Sequence, residues 1–437
     1  MDEEKVKRYL MDFQEREFLN LRKREIQLGN SLKIQTVIGA RRVGKTYLLF
    51  NKIKELEERG IERKQIVYLN FENPVLNGVS HKDIKEIVEL HWSIFPEIIN
   101  RKIYLFIDEP QSVPKWELAI RELNDDFNCR LFVTGSSSKL LSKEIATCLR
   151  GRLVTTTLLP LSFKEFLEFK DFKADVNKIS TRSKARITNY FEEFLRFGGY
   201  PEIVFEKGSN EKLKIIKDYL DLTVYKDLVE RYNLKNTRLI KWLIDSLMNS
   251  TAKEVSVSKL YLDLKSRGVK LSKNTLYEYF SVLEDSFFIF PLRKFDYSRR
   301  GEGFSIPKIY LGDVGFLNLY SLENFGQRLE NIVFLSLARQ MNNSPLIKVN
   351  YWKSAEGKEV DFIVSEGKKI KSAIQVCYSL LDDDTGEREL NALLSCLDCF
   401  KIKKGLIITK DYEGEKKIKG KTIKIIPCWK WLLMNSD

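Results

Sequence analysis

A short glycine-rich loop between a strand-like and a helix-like segment constrains the fold of this chain more than any other feature. Residues 39–46 match the pattern G-x-x-x-x-G-K-[ST]. The apolar segment Ile34–Ile38 before them is typical of a buried strand, and a helical pattern follows as far as Gly60. In this setting the loop's N–H groups and the positive end of the helix bind phosphate oxygens. The sequence therefore predicts a nucleoside triphosphate site.

The side chains of the loop suggest their own roles. We expect Lys45 to reach the β- and γ-phosphates, and the Thr46 hydroxyl to bind the Mg²⁺ ion that accompanies ATP. The predicted nucleotide contacts in the loop are Gly39, Ala40, Arg41, Arg42, Val43, Gly44, Lys45 and Thr46. No guanine-specific N/T-K-x-D motif follows the third strand, which favours ATP over GTP.

A second motif moves the prediction from binding to hydrolysis. The apolar run Ile103–Ile107 is typical of a central parallel strand that is covered on both faces, and Asp108 and Glu109 follow it. Ligands of open α/β sheets bind at this carboxyl edge. We expect Asp108 to hold Mg²⁺ together with Thr46, and Glu109 to polarise the attacking water.

Polar and basic residues near the next two strands complete the predicted site. The strand Arg130–Thr134 precedes a Gly-Ser turn, and Thr134, with Ser136 as the alternative, is predicted to position the water. Ordinary turn chemistry is the other interpretation. Arg152, or Arg150 beside it, precedes a Val- and Thr-rich strand and is predicted to act as an arginine finger on a neighbouring subunit's nucleotide. Surface pairing with acidic residues is the alternative for both arginines.

Taken together, these motifs resemble one family. The loop G-x-R-R-V-G-K-T, the Asp-Glu strand, the T-G-S-S turn and the string L-P-L-S-F-K-E-F at residues 159–166 are similar to archaeal and bacterial AAA-type ATPases. The resemblance covers nearly the whole chain. It implies an ATPase core of the additional-strand, catalytic-glutamate division, a helical lid and an uncharacterised C-terminal domain. The turn at residues 197–201 resembles the one with which related signalling ATPases cover adenine, and a helix end followed by a helix-starting proline is the alternative.

Two other segments bear on a nucleic-acid partner. The N-terminal segment Lys5–Ile26 has helical periodicity and predicts a packing helix. Residues 255–295 predict helix, turn, helix and apolar hairpin, the order of a winged helix whose second helix enters a major groove. The residues available for phosphates or bases are Lys273, Asn274, Thr275 and Tyr277, with Arg293, Lys294, Arg299 and Arg300 on the wing. A protein-binding or lid module is the alternative.

The C-terminal third carries polar residues in the order that restriction-endonuclease-like folds use. Glu330 lies in a predicted helix, Asp361 lies in a predicted strand, and Gln375 and Cys377 lie in or after the next strand. Such folds hold Mg²⁺ with acidic residues and activate water with a lysine. Gln375 stands where a second carboxylate is expected, and Cys377 stands where the lysine is expected. The sequence therefore predicts a nuclease-like fold that has lost most of its chemistry.

Alternatives remain for this segment. Lys369 or Lys371 supplies the missing ammonium in one of them, and in the other the segment is a plain α/β domain with a buried aspartate. The Cys396/Cys399 pair has no second pair or histidine partner to complete a zinc site, so reduced cysteines are expected.

Length, charge and hydropathy bound the whole chain. Its 437 residues exceed what one core usually fills. The net charge of +13 is weak evidence for nucleic acid, because 61 acidic residues accompany 74 basic ones. Without a long apolar run or a signal-like N-terminus, a cytoplasmic protein with no membrane partner is expected.

The predicted fold class is α/β, with five segments. They are an N-terminal lead-in (1–30), an AAA-type P-loop sheet (31–165), a helical lid (166–235), a winged helix (236–303) and a nuclease-like α/β domain (304–437). The predicted function is a Mg²⁺-dependent ATPase that acts as a switch or motor on DNA or RNA, with a homo-oligomer expected if the arginine finger acts between subunits. A nucleotide-gated protein-interaction or signalling ATPase and an ATP-gated nuclease are the alternatives.

Overall fold

The structure is a computed structural model and divides into two compact units. It describes residues 1–29, 31–137, 148–149, 151–176, 178–320, 324–380 and 383–435. The first unit spans Met1–Leu158 and the second spans Leu159–Asp437.

The first unit alternates strands and helices. Its strands are β1 (Ile34–Ile38), β2 (Ile66–Asn70), β3 (Ile103–Asp108), β4 (Cys129–Gly135) and β5 (Leu153–Thr157). Its α-helices are α1 (Glu3–Glu15), α2 (Lys45–Glu58), α3 (His81–Ile94) and α4 (Trp116–Asp126), and short 3₁₀ turns lie at Arg63–Gln65, Pro74–Leu76, Pro96–Ile98 and Pro110–Ser112.

The five strands form one parallel sheet in the order β2-β3-β4-β1-β5. Every residue of β1 and of β3 is buried, as expected for strands with helices on both faces. Strand β4 therefore lies between β1 and β3, so the ends of these three strands meet at one edge of the sheet. This order places the loop after β1 and the Asp-Glu pair after β3 at the same edge of the sheet, on either side of β4.

Helix α1 covers less of the chain than its sequence periodicity predicts. The Asp2 side chain caps its first turn, and the helix ends at Glu15 instead of continuing to Ile26. Its apolar face packs on the sheet, where the ring of Phe13 stacks on that of Tyr68 at 5.3 Å. Arg16, the residue after the helix, has an extended backbone with φ −67° and ψ 121°, which ends the helical hydrogen bonding, and Asn20 has a positive φ of 55°. The segment after α1 is consequently irregular.

The second unit begins with helices. These are α5 (Phe163–Phe169), α6 (Thr181–Phe197), α7 (Pro201–Phe205), α8 (Ser209–Leu222), a π-helical stretch (Thr223–Glu230), α9 (Thr237–Asn249), α10 (Val257–Ser266) and α11 (Lys273–Asp285). Strands β6 (Ile289–Leu292) and β7 (Lys308–Leu311) then pair antiparallel, with the short helix α12 (Arg299–Phe304) between them. Isolated bridges join Thr251 and Glu254 to β7.

A mixed sheet occupies the rest of the second unit. After a 3₁₀ stretch (Val314–Leu319), the elements are α13 (Phe325–Asn343), β8 (Ile347–Lys353), β9 (Glu359–Glu366), β10 (Lys369–Val376), α14 (Asp383–Cys399), β11 (Lys404–Thr409), β12 (Gly414–Ile418), β13 (Lys421–Pro427) and α15 (Cys428–Met434). The sheet order is β12-β13-β11-β10-β9-β8, with β10, β11 and β13 parallel. Its core includes Val360, Ile363, Ala373, Leu393, Leu397, Ile407 and Ile423.

A glycine pair joins the helical part of the second unit to the segment after β7. Gly198 ends α6 with φ 79° and ψ −162°. The Asp313 carboxylate accepts hydrogen bonds from the N–H groups of Gly199 and Gly315, at 2.8 and 2.7 Å. A Cβ at Gly198 would lie 1.7 Å from the Asp313 carboxylate. The position therefore requires glycine for both its backbone angles and its space.

We predict that Gly198→Ala destabilises the second unit by roughly 2–4 kcal/mol, because it adds a steric clash to the cost of a positive φ. Gly268 has the same φ of 79° but open space around its Cβ position. Gly268→Ala is therefore the matched control and is expected to cost about 1 kcal/mol. Denaturant unfolding measures both variants, and equal losses would show that the Asp313 contact contributes nothing.

Candidate nucleotide-binding and hydrolysis site

The glycine-rich loop links the end of β1 to the start of α2. The Lys45 ammonium is 5% exposed and donates to the carbonyl oxygens of Gly39 and Ala40, both at 3.0 Å. It also forms an ion pair with Glu109, with 3.1 Å between Nζ and Oε1. The loop lysine and the acid after β3 are thus brought together, as their positions in the sequence predict.

Gly39 lies close to the backbone of Leu158, the residue after β5. A Cβ at this position would be 2.2 Å from the carbonyl oxygen of Leu158. The Leu158 N–H donates to the carbonyl of Ile38 at 2.7 Å. A side chain at residue 39 would push the loop away from the sheet, which explains the first glycine of the motif.

The Asp108 carboxylate is the polar centre of the site. It is buried and accepts hydrogen bonds from the hydroxyls of Thr46 and Tyr68, at 2.7 and 2.8 Å. A third hydroxyl, that of Thr134 on β4, donates to its other oxygen. Burial raises the pKa of Asp108, the Thr134 hydrogen bond opposes this, and the neighbouring charge of Glu109 adds to it. These hard oxygen donors match the preference of Mg²⁺.

Glu109 is fixed on several sides. Its backbone has a positive φ of 54°, and one carboxylate oxygen accepts from the Ser136 N–H at 3.1 Å and from the Gln111 amide. Its N–H donates to the Thr134 hydroxyl at 3.2 Å. Burial alone would raise the pKa of Glu109, but the Lys45 charge and the hydrogen bond from Gln111 outweigh it and lower the pKa to about 2. The group is therefore a carboxylate at neutral pH.

Arg152 lies near the N-terminal ends of the parallel strands, whereas the phosphate loop lies at their C-terminal ends. Its carbonyl accepts from Ile34, the first residue of β1, whereas the phosphate loop follows the last residue of that strand. Its guanidinium pairs with Asp125 on α4 at 2.5 Å and is partly exposed. A strand of this length spans about 16 Å, so Arg152 does not reach its own chain's loop. Arg150 lies outside the described residues.

Some residues of the site are not evident from the sequence. Tyr68 on β2 donates to Asp108, Gln111 holds Glu109, and Arg24 donates to the carbonyl of Val43 in the loop at 2.8 Å. Gln111 follows the Asp-Glu pair closely, so its proximity is a signal that the sequence contains. Tyr68 and Arg24 become visible only once the strand order and the N-terminal segment are known.

The predicted C-terminal residues form a second polar cluster. Glu330 on α13 and Asp361 on β9 lie around the Lys308 ammonium, at 3.1 and 2.8 Å from its Nζ. The Gln375 side chain accepts from the Asp361 N–H at 3.3 Å. Burial raises the pKa of Glu330, helped by the charge of Asp361 and opposed by that of Lys308. Lys308 is not among the residues predicted for this cluster, although a lone lysine in an otherwise apolar strand indicates a buried charge with acidic partners.

The remaining candidates for the missing lysine stay outside this cluster. Lys371 pairs with Glu366 at 2.5 Å and is about half exposed, and Lys369 is exposed. Cys377 is buried, and burial raises the pKa of its thiol to about 11. Within the described ranges, no group of three or more histidine, cysteine, aspartate or glutamate side chains is arranged to hold a metal ion.

The second helix of the predicted winged helix exposes a mixed surface. Ser272 caps α11, and Lys273, Asn274 and Tyr277 are exposed on its first turns. The Lys273 ammonium lies 5.7 Å from the centre of the Tyr277 ring. Acidic side chains are exposed farther along, at Glu278 and Glu284. The side chains of Arg299 and Arg300 lie outside the described part of the chain.

Comparison with known proteins gives the family. The model of a family described as an AAA domain matches residues 31–167, and two families described as domains of unknown function match residues 188–327 and 325–431. An uncharacterized protein of Methanocaldococcus jannaschii is 40% identical over 414 residues, which cover 92% of this chain and 88% of that protein. The chain belongs to the AAA-type P-loop ATPases that carry additional C-terminal domains.

Other proteins are also similar to this chain. An uncharacterized protein of Haemophilus influenzae is 31% identical over 414 residues, covering 93% of this chain and 96% of that protein. Two solved structures are also similar, the Aeropyrum pernix ORC1 protein in complex with DNA (14% identity, TM-score 0.30, 75% and 94% coverage) and Cdc6p from Pyrobaculum aerophilum (11%, 0.27, 70% and 90%). These TM-scores are too low to support an argument. The predicted family and α/β fold class are confirmed.

Among the described residues, none of the helices combines the length and the hydrophobicity that a membrane-spanning segment requires.

We predict a specific acid dependence for the nucleotide-free protein. Because the pKa of Glu109 in the fold lies below its unfolded value, its stabilising contribution is present above pH 4.5 and is lost as pH falls toward 2. The unfolding free energies of wild type and Glu109→Gln should therefore converge by up to about 3 kcal/mol over this range.

The Lys45→Met background is the control for this prediction. This substitution removes the main charge that lowers the pKa of Glu109. In the Lys45→Met background, the unfolding free energies of the proteins with and without Glu109→Gln should therefore converge much less. Equal convergence in both backgrounds, measured by denaturant unfolding at several pH values, would contradict the assigned ion pair.

Proposed function

We propose that this protein is a Mg²⁺-dependent ATPase whose nucleotide cycle switches or moves its C-terminal segments, and that it acts on nucleic acid. The observation that carries the ATPase proposal is the meeting of Lys45, Asp108 and Glu109 at one edge of the parallel sheet. Phosphoryl transfer needs positive charge on the phosphates, a metal ion and an oriented water. The chain supplies a group for each of these requirements.

Lys45 is the proposed phosphate ligand. Its ammonium now contacts two loop carbonyls and Glu109, and these contacts keep a buried cation compensated without nucleotide. Phosphate oxygens offer a stronger anion, so we expect Lys45 to turn toward them when ATP binds. Loss of this ion pair would raise the pKa of Glu109 from its low value and make the carboxylate a better proton acceptor.

Thr46 and Asp108 are the proposed residues for Mg²⁺. Their oxygens are 2.7 Å apart and hydrogen-bonded, and Mg²⁺ is usually held through one or two protein oxygens, water and phosphate oxygens. When bound, the ion would supply Lewis-acid charge to the β- and γ-phosphates. The hydrogen bonds from Tyr68 and Thr134 keep the Asp108 carboxylate oriented toward the loop.

Glu109 is the proposed acceptor of the water proton. The Ser136 N–H and the Gln111 amide hold one of its oxygens, which leaves the oxygen now paired with Lys45 for the water. Thr134 touches both Asp108 and the Glu109 backbone, and we propose that it positions the water through them. The proposed finger, Arg152, would act only on another subunit's nucleotide, in a homo-oligomer.

The nucleic-acid part of the proposal is supported by the second unit. Helices α9, α10 and α11 precede the β6–β7 pair, and isolated bridges from Thr251 and Glu254 contact β7, an order consistent with the proposed winged helix. Lys273 and Asn274 are exposed at the N-terminal end of α11, where the helix dipole favours phosphate. The exposed Glu278 and Glu284 farther along favour the competing function, a protein-interaction module.

We do not propose nuclease activity. The position expected for a catalytic lysine carries the buried thiol of Cys377, which donates to the carbonyl of Ser379. A thiol with a raised pKa does not replace an ammonium beside a scissile phosphate. No cleavage is therefore expected to accompany binding.

We predict that Lys45→Ala abolishes ATP binding, since it removes the positive charge that the loop itself is proposed to place on the β- and γ-phosphates. Glu109→Gln should retain binding but lower turnover by about 10²- to 10⁴-fold, because an amide does not accept the water proton. Nucleotide binding and phosphate release measure the two effects. Glu86→Gln, a surface substitution on α3, is the control, and wild-type turnover by Glu109→Gln would refute the assignment of the acid.

We predict that binding to duplex DNA weakens steeply with salt and that Lys273→Ala reduces the salt slope by about one. Adding Arg299→Ala and Arg300→Ala should reduce it further. Lys416→Ala, an equally charged change on the exposed strand β12, should leave the slope unchanged. Fluorescence anisotropy at several salt concentrations checks this, and salt-independent binding or no binding at low salt would favour a protein partner.

A further inference from the structure

A lysine in the interior of the second unit is used by neither the ATPase nor the nucleic-acid proposal. Lys308 begins β7, whose residues are otherwise apolar, and its side chain is 3% exposed. Burying an ammonium without compensation is very costly, so its surroundings must supply negative charge. The structure supplies more of this charge than one lysine needs.

Three carboxylates surround the Lys308 Nζ. The distances are 2.7 Å to Glu359 Oε1, 2.8 Å to Asp361 Oδ1 and 3.1 Å to Glu330 Oε1. An ammonium has three N–H donors, so each can be directed to a different carboxylate. The three acids come from α13 and β9, whereas the lysine comes from β7. One cation thus joins three elements that are separate in sequence.

The carboxylates are also held by groups other than Lys308. The second oxygen of Asp361 accepts from the Val376 N–H at 2.9 Å, and Glu330 accepts from the Tyr310 hydroxyl at 2.8 Å. The arrangement of acids therefore does not depend on the ammonium alone. Convergent, pre-oriented carboxylate oxygens are the ligands that Mg²⁺ and Mn²⁺ prefer.

We propose that Lys308 is a built-in cation which takes the place of a divalent metal ion in this cluster, and so closes the cluster to metals. The ammonium fills the space between Glu330 and Asp361 and uses their facing oxygens. The C-terminal sheet can then keep an acidic cluster in its interior without depending on a metal supply.

Replacing the lysine by a neutral side chain tests the proposal. In nucleotide-free protein, Lys308→Met should lower the melting temperature of the second unit, and millimolar Mn²⁺ should restore several degrees by entering the vacated space. Wild type should gain nothing comparable. Lys308→Met/Asp361→Asn is the matched control, because it keeps the ATPase site and removes one proposed metal ligand, so Mn²⁺ should no longer stabilise it.

Two further measurements keep the test decisive. Lys308→Ala leaves more room for a hydrated ion, and failure of both Lys308 variants to gain from Mn²⁺ overturns the proposal, whether or not they fold without it. Electron paramagnetic resonance of Mn²⁺ added to wild type and to Asp361→Asn should show equal binding. Loss of a bound ion in Asp361→Asn would mean that the native cluster already takes a metal, and would also overturn the proposal.

Discussion

The ion pair between Lys45 and Glu109 is the interaction that compensates the buried charges of the nucleotide-free site. It joins the loop after β1 to the acid after β3 across the intervening strand β4. Both charges are buried, so neither is stable without the other or a substitute. An arriving phosphate is such a substitute for the carboxylate. The site is thus held in a compensated state that nucleotide can displace, and the energy of the ion pair sets part of the cost of that displacement.

The second unit also buries a lysine, but there one ammonium is surrounded by several acids. Lys308 faces three carboxylates from two elements, all within hydrogen-bonding distance of one ammonium. The lysine ammonium contacts one oxygen of each of the three acids. The two buried lysines therefore differ in the role that we propose for their partners. A phosphate can replace the partners of Lys45, whereas Lys308 and its partners leave no place for a metal ion.

The parts of the site that the sequence predicts are those set by local pattern. The bounds of β1 match the apolar run Ile34–Ile38, and Asp108 and Glu109 lie at the end of β3 as expected, because a strand buried on both faces has an unambiguous composition. The helical periodicity over Lys5–Ile26 predicts too long a helix, because periodicity does not register the extended backbone at Arg16. Tyr68, Arg24 and Lys308 have roles that arise from packing between segments that are separate in sequence. The guanidinium of Arg152 pairs with Asp125, a partner that depends on where α4 ends.

The close contact between Gly39 and Leu158 joins the phosphate loop to the end of the first unit. Leu158 is the last residue of the first unit, and its N–H is bonded to Ile38, immediately before the phosphate loop. The polypeptide that leads into the second unit therefore starts from an anchor shared with that loop. The phosphate loop and the start of the connection to the second unit are thereby joined by one backbone hydrogen bond. The missing Cβ of Gly39 is what allows the two backbones to share this anchor.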